Sequence, residues 1–211
     1  MRLAESRRIS TAAAATVAGL ATVLTVVATA SSASATVSNI HAKYKVTGST
    51  FLKAPNATLP LGPGTLAANL NPGTGKIKAT LTMPDATLTF KQLGLIPVTA
   101  TTRFISNGPT TGKLNINTGA VTTTSHITLQ IVSLSVAGLP IPVGPSCESS
   151  APAVIRVASQ PGFNILKGGN LAGTYTIPQF ANCGLVTPLI NVTLTGSGNT
   201  ITLTLGEAKI G

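Results

Sequence analysis

Apolar residues alternate with threonine, serine or lysine along nearly the whole chain after residue 36, and this limits the fold more than any other feature. Lys76-Ile77-Lys78-Ala79-Thr80-Leu81-Thr82-Met83, Ala86-Thr87-Leu88-Thr89-Phe90 and Thr200-Ile201-Thr202-Leu203-Thr204-Leu205 are examples. A period of two sends successive side chains to opposite faces, so each run reads as a strand with one dry and one wet side. No window of ten or more residues in this part carries a helical period. Turn signals punctuate the runs at Asn71-Pro72-Gly73-Thr74-Gly75, Asn107-Gly108-Pro109, Asn117-Thr118-Gly119, Gly168-Gly169-Asn170 and Gly196-Ser197-Gly198-Asn199. The last of these joins Ile190–Thr195 to Thr200–Leu205 as a hairpin. The expected fold is all-β, an antiparallel sandwich or barrel of about ten to twelve strands.

A weak internal repeat runs through it. Leu70-Asn71…Thr74-Gly75 matches Leu114-Asn115…Thr118-Gly119 at an offset of 44, and each Thr-Gly is followed nineteen residues later by Gly-Leu. A third copy starts at Gly169, 94 residues after Gly75. Three units of about 45 residues suggest a three-fold pseudo-repeat of the trefoil or prism kind, and the competing account is that threonine-rich strands resemble one another.

Residues 1–35 have a different character. Arg2, Arg7 and Arg8 precede an uncharged run from Thr11 to Ala30, and Ala33-Ser34-Ala35 ends the segment with small residues. This is the three-part layout of a secretory signal peptide, with a signal helix and cleavage before Thr36. An uncleaved anchor is the alternative, though Ala and Thr make a poor membrane span. Ser6-Arg7-Arg8 leaves twin-arginine export open beside the general route. Residues 36–211 then form a single β domain, placed outside the cytoplasm or at the cell envelope, with no transmembrane span in the mature chain.

Only three acids, Asp85, Glu148 and Glu207, stand in residues 36–211 against eleven Lys and Arg, a net charge of +8. Residues 36–113 carry +7 of it, through Lys43, Lys45, Lys53, Lys76, Lys78, Lys91, Arg103 and Lys113 against Asp85. A basic half of this kind points to an anionic neighbour, such as an acidic lipid surface or a wall polymer, or else serves solubility alone. Nucleic acid is not expected, because there is no Trp and only two Tyr to act as stacking platforms.

Cys147 and Cys183 are the only cysteines, with thirty-five residues between them. In an exported chain such a pair reads as a disulfide. A redox or metal role would want closer spacing and more ligands than His41 and His126 supply. Paired carboxylates are equally improbable with three scattered acids. A Ser–His–acid triad would need His41 or His126, no nucleophile-elbow pattern occurs, and no cofactor motif is present. The chain is therefore read as non-catalytic, with a hydrolase built on His126 as the remote alternative.

Three connections are unusually apolar: Leu93-Gly94-Leu95-Ile96-Pro97-Val98, Ala137-Gly138-Leu139-Pro140-Ile141-Pro142-Val143 and Gly184-Leu185-Val186-Thr187-Pro188-Leu189-Ile190. Leu95, Ile96, Leu139, Ile141, Leu185 and Val186 either fold inward to plug one end of the fold, the more common outcome, or form an exposed contact rim.

Tyr44-Lys45-Val46-Thr47-Gly48, Leu59-Pro60-Leu61-Gly62-Pro63-Gly64, Gly94-Leu95-Ile96-Pro97-Val98-Thr99-Ala100, Gly173-Thr174-Tyr175-Thr176-Ile177-Pro178 and the two cysteines resemble a group of secreted β-rich proteins of high-GC Gram-positive bacteria. The resemblance spans most of residues 36–211. It implies export and a disulfide, and transfers no catalytic or binding residue. The function expected is contact with an apolar or anionic envelope component, lipid or wall polymer, through the Gly-Leu turns and the cations Lys43, Lys45, Lys53, Lys76, Lys78, Lys91 and Arg103. One variant of this reading puts a lipid in an interior cavity. The alternative function is a structural or adhesive surface protein that self-associates through its threonine faces.

Overall fold

A computed structural model describes residues 38–211, and the signal peptide expected over residues 1–35 lies outside the described residues. In chain order the strands are β1 (Ile40–Leu52), β2 (Ala57–Leu70), β3 (Lys76–Thr82), β4 (Ala86–Gln92), β5 (Ile96–Ser106), β6 (Thr110–Leu114) and β7 (Val121–Val136). They continue with β8 (Leu139–Ile141), β9 (Glu148–Ser149), β10 (Ala153–Ser159), β11 (Gly169–Ile177), β12 (Phe180–Ala181), β13 (Gly196–Leu205) and β14 (Lys209–Ile210). A 3₁₀ turn (Gly184–Val186) and one α-helix, α1 (Thr187–Leu194), stand between β12 and β13. The all-β expectation holds, and the described residues form fourteen strands. The surplus over ten to twelve lies in β8, β9, β12 and β14, which are too short to show a period.

Of the two architectures the sequence left open, the chain adopts the barrel. Eight strands close in the order β1-β2-β3-β6-β7-β10-β11-β13, with β13 returning to β1 and β10 to β7, all antiparallel. Closure satisfies every backbone edge in the ring. Because direction alternates around the ring, the β2–β3, β6–β7 and β10–β11 links share one end of the barrel, the turn end. The β3–β6, β7–β10 and β11–β13 links share the other. Each of these three carries an insertion, β4 with β5, β8 with β9, and β12 with α1, whereas the fourth link at that end, β1–β2, is a short turn over residues 53–56. Together the insertions form a cap.

The turn end is built on one device used three times. The carbonyls of Asn71, Asn115 and Asn164 accept from the N–H groups of Gly75, Gly119 and Gly168 at 2.8, 2.8 and 2.7 Å. Each asparagine Oδ1 also accepts from the backbone N–H three residues on, at Thr74 (2.9 Å), Thr118 (3.2 Å) and Lys167 (3.0 Å). The glycines close these turns at φ of 67, 73 and 83°, a left-handed conformation that a β-carbon disfavours. The sequence repeat thus falls on three of the four strand pairs of the ring. A ring of eight has no three-fold symmetry, so a trefoil or prism is not the architecture.

At the cap end β7 runs on beyond the barrel. Its first half pairs with β6 and β10, while Ile127–Val136 pairs with β5, which pairs in turn with β4. β5 and β6 follow one another along the same flank of β7. Asn107-Gly108-Pro109, expected as a turn, is therefore a bend within one long ribbon; Pro109 has no N–H for a ladder, and Asn107 Oδ1 accepts instead from Thr128 N at 2.9 Å. Cys147 and Cys183 form the expected disulfide, Cα atoms 4.3 Å apart, both fully buried. It joins the second insertion to the third, which β9–β12 pairing also links.

The hairpin expected over Ile190–Leu205 is not formed, because Thr187–Leu194 is helical. Pro188 sits in the first turn, where its missing N–H costs nothing. Ile190, Thr193 and Leu194 share the buried face. Asn191 fastens the helix to β12, accepting from Phe180 N at 2.7 Å and donating to its carbonyl at 3.0 Å. Eight residues are too few to stand out as a helical period.

Candidate functional site: a lysine face outside and an apolar space inside

Alternation on β1, β3 and β6 puts Tyr44, Val46, Ile77 and Ala79 inside the barrel and sends their neighbours out. Lys43, Lys45, Lys76 and Lys78 share that outer face, and His41, Lys113 and Lys209 join them, all exposed. Register fixes their spacing. His41 stands opposite Asn69, and Asn69 opposite Lys78. Lys43 faces Lys209 across β1–β14, and Lys76 faces Lys113 across β3–β6. Like charges directly opposite one another on a sheet repel. None of the three acids sits on these strands, although Glu207 stands two residues before Lys209. The one ion pair among the described residues lies elsewhere, Arg103–Asp85 at 3.0 Å, where the carboxylate's hydrogen bond and charge raise the arginine pKa above its ordinary value.

Between the cations runs a groove of about 280 Å³. Ala67, Asn69 and Thr80 floor it, with His41, Lys43, Lys78 and Pro109 alongside. Short side chains on β2 and the end of β3 leave this channel, so that lysine ammoniums flank a shallow trough.

The other expected contacts are dispersed. Lys53 follows β1 in its link to β2 at the cap end, where its backbone N–H bonds Asn199 Oδ1 at 3.0 Å. Lys91 lies on the outer strand β4, opposite Pro97. Arg103 is occupied by Asp85. Four of the seven candidate cations therefore converge. Lys113 and Lys209 could have been included from the two-residue period and from a hairpin register, but their partners become visible only with the strand order.

The Gly-Leu turns do not plug the fold. Leu93 and Leu95 are 83 and 82 % exposed, Leu139 is 68 % exposed and Leu185 wholly so. Ile96 is exposed as well, and only Ile141 and Val186 are half-buried. Tight hairpins carry the first two, β4–β5 turning at Leu93-Gly94-Leu95 and β7–β8 at Ala137-Gly138, and in turns this short the tip residues point away from the sheet; Leu185 stands on a 3₁₀ turn, Gly184–Val186, that buries none of its residues. The first two turns are adjacent, as Ala137 N donates to the Pro97 carbonyl at 2.8 Å. Below them a second apolar space of about 110 Å³ separates the sheet from α1, lined by Phe90, Ile96, Val136, Leu189 and Thr193 among others. Thr193 Oγ1 is buried there without a hydrogen-bond partner.

A third space, also about 110 Å³, occupies the barrel itself. Eight strands leave an interior just wide enough for side chains or one small ligand. Here a row of small residues keeps part of it unfilled. Ala42, Ala68, Ala79 and Thr110 stand in register on β1, β2, β3 and β6, and Thr110 bonds Ser125 of β7 at 2.7 Å. Across the barrel the wall is bulky, with Leu171 and Tyr175 on β11 and Ile201, Leu203 and Leu205 on β13. Both tyrosine hydroxyls inside are paired, Tyr175 with Thr50 at 2.8 Å and Tyr44 to the Ile165 carbonyl at 2.8 Å, while Thr123 lines the space without a side-chain hydrogen bond among the described residues. Burial raises both tyrosine pKa values above their ordinary 10.0.

His126 is exposed on the outer face of β7, opposite Val154, and its side chain makes no hydrogen bond among the described residues. No three of His, Cys, Asp and Glu gather among the described residues, and no helix there is long and apolar enough to cross a membrane. Comparison with known proteins adds no relative: no family model, no curated protein and no solved structure matches the chain.

Proposed function

We propose that this is an exported, non-catalytic β-barrel protein that holds an anionic component of the cell envelope, lipid headgroups or a phosphate-bearing wall polymer, against its lysine face. The observation that carries the reading is the pair of lysine–lysine juxtapositions, Lys43 with Lys209 and Lys76 with Lys113. A sheet selected for stability or solubility alone would scatter its charges. Concentrating six lysines beside a trough on one face creates a field that an extended polyanion relieves. The disulfide and the signal-like residues 1–35 support a site of action outside the cytoplasm.

Sedimentation with anionic vesicles, and separately with purified wall polymer, tests the proposal. Binding at low salt that weakens as salt rises is the expected result. The triple variant Lys43→Gln, Lys78→Gln, Lys113→Gln should bind at least tenfold more weakly, while Lys91→Gln, on the outer strand β4, binds as before. Removing Lys113 should also leave the melting temperature equal or higher, since its opposite neighbour is Lys76. No binding at low salt, or full binding by the triple variant, would overturn the reading.

A second reading, self-association, is favoured by the exposed leucines at 93, 95 and 139 and by β4, whose outer edge pairs with no strand. Sedimentation velocity distinguishes it: a monomer at every concentration ends it.

A further inference from the structure

We infer that the space inside the barrel is a binding site for a small hydrocarbon group, one aromatic ring or the end of an acyl chain. The inference rests on the barrel interior and is independent of the lysine face.

The space is a consequence of register. At one level of the barrel, neighbouring strands present Ala68, Ala79, Thr110 and Ser125, and enlarging any of these would fill it. Well-packed interiors leave few voids larger than a water molecule, and an empty volume near 110 Å³ costs stability. Apolar cavities of about 150 Å³ stay dry and take up a benzene-sized molecule. The chemistry here fits the same class. Tyr175, Thr50, Tyr44, Thr110 and Ser125 have hydroxyls that each bond a protein group, and Thr123 is the one further lining hydroxyl, so little polar capacity remains for a ligand or for a chain of waters. What remains unsatisfied is apolar surface.

An entrance follows from the same strand pattern. β3 pairs with β6 only as far as Ala79–Thr110. Beyond that level β5 takes the place of β6 along β7 and makes no ladder with β3; the tie there is Ser106 Oγ to the Leu81 carbonyl at 3.2 Å. Leu81, Met83 and Phe104 line the space from this gap and remain half-buried. The opposite end is shut by Phe163 and Ile165, from the β10–β11 link. A hydrocarbon entering between β3 and β5 would meet thioether and ring, then the alanine row, with any polar head left outside.

The chain carries its own reporter, because both of its tyrosines line the space and it has no tryptophan. Delipidated protein is titrated with decanoate and, separately, with toluene, following tyrosine emission and bound mass by native mass spectrometry. Saturable change at one-to-one stoichiometry with either probe is the expected result. Response to decanoate assigns the site to acyl chains, and response to toluene alone assigns it to free small hydrocarbons. Ala79→Leu should fill the space and weaken binding at least tenfold, whereas Thr202→Leu, on β13 and facing out, should leave it unchanged. If Ala79→Leu does not fold, Ala68→Val on the adjacent strand gives the same reading. No saturable response to either probe, or equal affinity in the folded, filled variant, overturns the inference. Neither outcome touches the vesicle and polymer assays, so the two proposals fail separately.

Discussion

The two ends of this barrel solve the same problem in opposite ways. At the turn end, strands are joined by asparagine–glycine turns whose side chains satisfy the local backbone, so a few residues suffice at each link. At the cap end three of the four links lengthen into strands and a helix, which have edges and apolar tips of their own. The difference shows where this chain needs help. A closed ladder holds the barrel; of the three pieces of the cap, the first is laddered to β7 through β5, while the second and third are held by packing, short pairings and one disulfide.

The sharpest way to break that contrast is to remove the disulfide. Its 36-residue separation makes it worth about 3–4 kcal/mol in the chain-entropy view. Cys147→Ala with Cys183→Ala should lower stability by that order, and amide exchange should speed up first in β8, β9, β12 and α1 while the asparagine turns stay protected. Uniform acceleration would show that cap and barrel unfold as one unit.

A smaller loss is expected at alkaline pH, and it belongs to the barrel. Burial holds Tyr44 and Tyr175 neutral beyond their ordinary 10.0, so the unfolded chain ionises first. Their contribution is complete below pH 10 and disappears as the pH climbs through the raised folded-state values. Urea midpoints should fall above pH 10, and less steeply in Tyr175→Phe. A midpoint independent of alkaline pH would mean the tyrosines are solvated.

The smallest effect should come from the cap's tips. Leu93→Ser with Leu95→Ser removes side chains that are 83 and 82 % exposed, so stability should move by no more than about 0.5 kcal/mol. Any self-association should fall at the same time. A large destabilisation would place these leucines in a packed role.

Much of the barrel could be read from the chain, and much of the cap could not. Strand identity was legible wherever an apolar–threonine period ran long enough, as in β3, β4 and β13. The Asn71 and Asn115 turns were visible too, and the third, Asn164 to Gly168, has the same spacing but was obscured by the neighbouring Gly168-Gly169-Asn170. The helix was missed because eight residues with Thr, Val and Ile read equally well as a strand. The leucine turns were expected inside because apolar residues usually are; the geometry of a tight hairpin overrode that preference. The lysine face was half visible: outward alternation follows from sequence, while the meeting of Lys76 with Lys113 depends on β6 pairing with β3 across an intervening insertion. The alanine row could not be read at all, since register alone brings its members level.

The cystine has a mechanical corollary. It welds the second and third insertions to one another and leaves the first, β4 with β5, outside the weld. The flank bordering Leu81, Met83 and Phe104 therefore depends on the β5–β7 ladder and not on the weld, so reduction of the cystine would loosen the far side of the cap and leave this seam as it was.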